Sequence, residues 1–194
     1  MKDVIICIGR QYGSGGRFIG KLLADRLNIP CYDKELIAES SSKSGMNQEV
    51  VESNDEVPNN LMYSVFQNGN PINQQVFLAQ FEAIRSIADK GSCVIVGRCA
   101  DYILEDRDNV VSIFITAPVE ERIKRATKFY NLDENKALKA IKKVDKKRKE
   151  YYNFYTNRKW GEASNYDLTL NSKIGVERCV EVIVKYVESL WVRK

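Results

Sequence analysis

Two rhythms of apolar residues alternate along this chain. Short runs rich in β-branched residues occupy 3–8, 31–33, 93–97 ("CVIVG"), 110–116 ("VVSIFIT") and 167–170 ("DLTL"), and they read as strands buried on both faces. Between them, apolar residues recur every three or four positions over 16–27, 34–43, 73–89, 119–130, 134–155 and 175–190, the spacing of amphipathic helices. Strands that alternate with helices in this way predict an α/β fold, a parallel sheet covered by helices. The segment "TAPVEER" predicts a helix start, with Thr116 as N-cap, Pro118 in the first turn and two glutamates against the positive end of the dipole.

Two stretches interrupt the rhythm. Residues 40–73 are rich in Ser, Asn and acidic side chains and predict a long loop holding one or two short helices, the kind of segment that is usually functional or disordered. Residues 136–149 are so rich in lysine that only a narrow stripe, Ala137, Leu138, Ile141 and Val144, is available for burial.

With 194 residues, the chain fits one domain. Its apolar runs fall short of the ~20 residues that cross a bilayer, and its first residues lack the pattern of a secretion signal. A cytoplasmic protein without a membrane partner is therefore expected. The five cysteines are scattered and there is no histidine. Reduced core thiols are expected rather than disulfides or a zinc site, and any catalysis must rest on carboxylates, lysine, arginine, tyrosine and backbone amides. The net charge of +4 is uneven: 118–160 holds 14 Lys and Arg against 6 Asp and Glu, or +8. A local positive field of this kind suits polyphosphate, nucleic acid or an anionic membrane.

The segment "GRQYGSGGR" at 9–17 follows the first strand and opens the first helix. Glycines at this turn leave backbone amides free for an anion at the positive end of a helix dipole. Gly13, Ser14, Gly15, Gly16, Arg17 and Phe18 form the candidate phosphate loop. Laid on the pattern G-x-x-x-x-G-K-[ST], however, the segment has Arg10 at the first glycine, Gly16 at the lysine and Arg17 at the hydroxyl. Arg17 then supplies the missing positive charge through its fork, with Lys21 one turn further as a second candidate. The alternative is a tight turn without a ligand.

Two more clusters stand where ligands of open α/β sheets sit, beyond the carboxyl ends of strands. "VIVGRCADYIL" delivers Arg98 and Asp101, either as a phosphate clamp or as a structural ion pair. Asp33 in "PCYDKEL" is a ligand group or the N-cap of the next helix. In the basic segment Arg122 and Arg125 share a helix face, and Arg148 follows Asp145 by three residues. These arginines suit a site that neutralises a moving phosphoryl group. The glycine loop argues against a nucleic-acid partner, which does not need it, and Tyr151, Tyr152, Phe154, Tyr155 and Trp160 are assigned to anchoring rather than base stacking.

Together "GSGGR", "YDKEL", "GRCADYIL", "VEERIKR", Asp145 with Arg148, and "YDLTLNS" resemble the cytidylate kinases among nucleoside monophosphate kinases, most closely the divergent cytidylate kinase-like branch. The resemblance implies a P-loop NTPase-type three-layer sandwich, its five-stranded parallel sheet in the order 2-3-1-4-5, with a mobile monophosphate-binding region at about 34–90 and a lid at about 125–160. It implies ATP and Mg2+ as cofactors and a nucleoside monophosphate such as CMP or dCMP as acceptor, leaving open a nucleotide-binding protein without turnover or a kinase of another small acceptor. Arg98, Asp101 and Asp33 would hold the acceptor, and Arg122, Arg125 and Arg148 would grip the transferring phosphate. The chain departs from the family pattern at Ile141-Lys142, where Arg-Asp begins the lid repeat, and at Asn171-Ser172 in place of Asp-Thr. Metal ligands and oligomeric state are not readable from the sequence.

Overall fold

The computed structural model describes residues 3–57 and 72–192. The central strand β1 (Ile5–Arg10) leads into α1 (Gly16–Leu27). The two-residue strand β2 (Cys31–Tyr32) follows, then α2 (Glu35–Ser44), α3 (Gln48–Ser53) and α4 (Ile72–Asp89). Strand β3 (Cys93–Val96) and α5 (Ala100–Ile103) precede β4 (Val110–Thr116), α6 (Val119–Tyr130) and α7 (Glu134–Thr156). Strand β5 (Leu168–Asn171) and α8 (Val176–Val192) complete the described chain. All pairings are parallel and the order is β2-β3-β1-β4-β5, as the family resemblance implied.

Strand periodicity builds the two halves of the core. Ile6 and Ile8 of β1, Val94 and Val96 of β3, and Val111, Ile113 and Ile115 of β4 project to one side, where Ile19 and Leu23 of α1 and Cys179, Ile183 and Val187 of α8 cover them. Ile5, Cys7, Cys93 and Ile95 project to the other, against Ile84 and Ile87 of α4 and Tyr151 and Tyr152 of α7. Successive strand residues point to opposite faces, so an apolar run buried on both sides requires helices on both sides. All five cysteines are free, and burial pushes the Cys93 thiol up to about 12.

The expected loop at 40–73 is partly helical in its described portion, with α2 extending to Ser44 and α3 starting at Gln48 behind the N-cap Asn47, whose side chain accepts from the Glu49 amide. The remainder of that expectation, 58–71, lies outside the described residues. Thr116 does not cap α6. Its hydroxyl donates to the Leu170 carbonyl across the β4–β5 pair, and Pro118 takes the cap position without a side-chain bond. The aromatic residues of α7 and the turn after it are anchors: Tyr155 stacks on Phe77 of α4 with ring centres 3.8 Å apart, and Trp160 meets Phe114 of β4 edge-on.

Candidate active site

Residues 11–15 link β1 to α1 at the carboxyl edge of the sheet. Gly13 and Gly15 both have positive φ, 76° and 85°. The requirement at Gly13 is steric as well as conformational, because a Cβ there would lie 2.6 Å from the carbonyl oxygen of Arg122. Three partners fix the carbonyls of this turn. Arg122 Nε donates to the Tyr12 carbonyl at 2.7 Å, Ser172 Oγ to the Ser14 carbonyl at 2.6 Å, and Arg125 reaches the carbonyls of Gly13 and Ser14 at 3.4 and 3.5 Å. Asp145 of α7 accepts from the Tyr12 amide at 2.7 Å and pairs with Arg122. Among the described residues, the amides of Gly13, Gly15, Gly16 and Arg17 have no protein acceptor. The Ser14 hydroxyl is fully buried and likewise has no partner. Buried polar groups are nearly always paired, so unpaired amides and an orphaned hydroxyl at one helix start mark a place built for an acceptor-rich ligand.

These amides open onto a cleft of about 370 Å³, lined by the loop, Asp33, Asp55, Glu56, Arg98 and Arg148 among others. Arg10, the last residue of β1, enters it from below. Gly97 permits this: it has φ +84°, and a Cβ there would lie 1.9 Å from Arg10 Nη1. Arg98 and Cys99, which follow, also have left-handed backbone, at 52° and 56°. Such conformations cost of order 1–3 kcal/mol each and cluster at functional sites. They turn the Arg98 side chain back across the strand ends, where Nη1 donates to the Val96 carbonyl and to Asp33, each at 2.9 Å. Nε and Nη2 fork onto the two oxygens of Asp55 at 3.0 and 2.7 Å.

Glu56 bridges two further arginines, with Arg10 Nη1 at 2.7 Å and Arg148 Nε at 3.0 Å. The charges shape one another. Burial opposes ionisation of Glu56, but Arg10, Arg148 and Arg98 outweigh it and hold the carboxyl well below its usual range. Burial also opposes the charge on Arg98, and Asp55, Glu56 and Asp33 reverse that effect. Arg10 is the disfavoured member, lowered by burial and by the neighbouring Arg148, with Glu56 opposing.

The structure brings Gly13, Gly15, Gly16, Arg17, Asp33, Arg98 and Arg148 to one cleft. Arg17 is about half exposed at its rim, with Nε 2.7 Å from Asp33. Phe18 packs against Phe129. Asp33 does not cap α2, where Lys34 stands at the cap position. Arg98 does not pair with Asp101, whose carboxylate instead accepts from the Tyr152 hydroxyl at 2.7 Å beside a small inner cavity. Arg122 and Arg125 do not line the cleft and bind loop carbonyls from outside it. Lys21 is exposed on α1. Sequence reasoning did not single out Arg10, Asp55, Glu56 or Lys147, which donates to the Asp55 carbonyl at 2.9 Å. The available signal for Arg10 was an arginine at the glycine position of the loop pattern, and nothing periodic marked Asp55 and Glu56.

Sheet order, glycine loop and converging arginines define a P-loop kinase. A solved shikimate kinase from Bacteroides thetaiotaomicron shares this fold at TM-score 0.60 and 14% identity, with 95% of this chain and 98% of that one covered. A solved uncharacterized protein from Eubacterium ventriosum is 36% identical, at TM-score 0.75, covering 96% and 99%. A protein from Methanocaldococcus jannaschii described as cytidylate kinase is 26% identical over 191 residues, covering 96% of this chain and 99% of that protein. A model of the Cytidylate kinase-like family matches residues 5–174. The chain belongs to the cytidylate kinase-like family and is a phosphotransferase of the nucleoside monophosphate kinase type. Among the described residues, no helix is long and apolar enough to cross a membrane.

Proposed function

We propose that this chain transfers the γ-phosphoryl group of ATP to the phosphate of CMP or dCMP in the cytoplasm. The observation that carries the reading is the pair of anion-seeking surfaces on one cleft: the unpaired loop amides, and the guanidinium groups of Arg10, Arg98 and Arg148. A single-phosphate ligand needs one such surface, whereas transfer between two phosphates needs both. The cytosine preference rests on the full-length likeness to the Methanocaldococcus jannaschii protein.

In this mechanism the amides of Gly13, Gly15, Gly16 and Arg17 hold the donor phosphates with the Arg17 side chain at the rim. Asp33, Arg98 and Arg148 orient the acceptor, with Asp101 supporting the floor behind Arg98. At neutral pH a phosphate monoester is largely dianionic and attacks in line without a general base, which suits a chain without histidine. Positioning and charge then carry the catalysis. Arg122 and Arg125 act as positioning residues, holding the loop so that its amides stay available.

Mg2+ fits as a companion of ATP rather than a resident ion. The described residues contain no cluster of three or more His, Cys, Asp or Glu able to hold a metal, and Mg2+ typically binds through phosphates, water and one or two carboxylates. Of the carboxylates lining the cleft, Asp33, which stands between Arg17 and Arg98, is the one that would reach the ion. When bound, the ion offsets charge on the phosphate oxygens. In this reading the described part of the region 34–90 and the lid 125–160 flank the acceptor within a single domain.

The test is ADP release from ATP and Mg2+ with each ribo- and deoxynucleoside monophosphate in turn. Release that depends on CMP or dCMP supports the reading. Release with another acceptor overturns the cytosine assignment, and none with any monophosphate overturns the proposed transfer.

A further inference from the structure

The guanidinium cluster of the cleft is already occupied by the protein's own carboxylates. We propose that Asp55 and Glu56 are an internal stand-in for the acceptor's phosphate, and that the anionic substrate binds by displacing them from Arg10, Arg98 and Arg148. The inference rests on the reading of the cleft as a phosphate site and adds to it a competitor carried by the same chain.

Three observations carry it. First, the geometry is that of anion recognition: Asp55 receives the Arg98 fork through both oxygens, and Glu56 bridges Arg10 and Arg148, all at 2.7–3.0 Å. A phosphate presents the same bidentate edge. Second, the charges match. Arg10, Arg98 and Arg148 pair with Asp33, Asp55 and Glu56, so withdrawing the last two removes two negative charges from beside these arginines. A dianionic phosphate restores them. Asp33 stays with β2, held between Arg98 and Arg17, whereas Asp55 and Glu56 lie beyond the end of α3. Third, Glu56 has a left-handed backbone, φ 52°, an uncommon conformation for glutamate that is held here by the ion pairs. Displacement releases that conformation.

A purely stabilising latch would account for the ion pairs alone. It would not explain why the latched arginines come from the ends of β1 and β3 and from α7, and line the same cleft as the unpaired loop amides. The contacts also join the monophosphate side to the lid side, because Glu56 holds Arg148 and Lys147 holds the Asp55 carbonyl. The arrangement keeps three clustered guanidinium groups paired until a ligand of matching charge arrives. Glu56 stays ionised under mildly acidic conditions because its arginines hold its carboxyl well below the usual range, so mild acid does not release Glu56 from Arg10 and Arg148.

The experiment is calorimetric titration of CMP into the full chain and into E56Q, D55N and E52Q. Glu52 also lines the cleft and is exposed, and no arginine pairs with it among the described residues. E52Q therefore reports the effect of removing one negative charge. If the open cluster is populated at about one part in ten or less, weakening the stand-in tightens binding about tenfold or more, because apparent affinity scales with the competent fraction. The expected result is that gain for E56Q and D55N, with E52Q within about twofold of the wild type. Equal gains for all three, or none, overturn the stand-in. Thermal melting establishes that each variant is folded. Should E56Q and D55N fail to fold, hydrogen exchange on the wild type decides: amides of 51–57 exchange faster with saturating CMP if the stand-in is displaced, and unchanged or slower exchange overturns it. A wild type that binds neither ATP nor any nucleoside monophosphate overturns the reading of the cleft instead, which distinguishes the two failures.

Discussion

At the scale of single residues, the site depends on glycines that allow other groups to approach. Gly13 combines φ +76° with a carbonyl 2.6 Å from where a Cβ would stand, so Gly13→Ala must shift the loop or α6. Strain of this kind costs about 1–3 kcal/mol. The expected outcome is a melting temperature lowered by several degrees, with ATP affinity in calorimetry reduced about tenfold or more. An unchanged affinity would mean that the loop amides do not hold ATP. The glycines, Arg17, Arg98 and Asp33 were legible because turn chemistry and strand ends mark such residues locally. Arg10 was visible as an arginine on a glycine position, but its direction depends on Gly97, 87 residues away, and no local pattern encodes that approach. Asp55 and Glu56 were hidden for a similar reason: an acidic turn in a polar stretch reads as solvated until the arginines opposite it are known.

At the scale of elements, the phosphate loop is a part held from behind. α6 contributes Arg122 and Arg125, α7 contributes Asp145, and the turn after β5 contributes Ser172. The departure of Asn171-Ser172 from the family pattern thus falls on a residue that binds the loop directly. Arg125→Ala removes donors to the Gly13 and Ser14 carbonyls and to Ser172. The account expects KM for ATP to rise about tenfold while KM for the monophosphate changes less than twofold, with partial rescue by Arg125→Lys; steady-state kinetics over both substrates check this. An equal loss in kcat at unchanged KM would instead place Arg125 on the transferring phosphate. Helix extents were largely readable from apolar spacing. The cap of α6 was not, because Thr116 has a better partner in the Leu170 carbonyl across the sheet than in the helix that follows. A tertiary contact there overrides a local preference.

At the scale of the whole molecule, the uneven charge has a structural division of labour. Lys136, Lys139, Lys142, Lys143, Lys146 and Lys149 are exposed along α7, whereas Lys147 and Arg148 on the same helix turn into the cleft. The parallel, helix-covered sheet was legible in the alternation of runs, since strands buried on both faces leave few other arrangements. Strand order came only from the family resemblance, because local periodicity carries no information about which strands are neighbours. The central claim is that one cleft holds two phosphates side by side, one on amides and one on guanidinium groups. The most direct measurement is a crystal structure of the full chain with ADP and CMP. The account predicts the ADP β-phosphate on the amides of Gly13 to Arg17 and the CMP phosphate on Arg98 and Arg148. Both nucleotides bound away from that cleft, or the loop amides facing no phosphate, would contradict it.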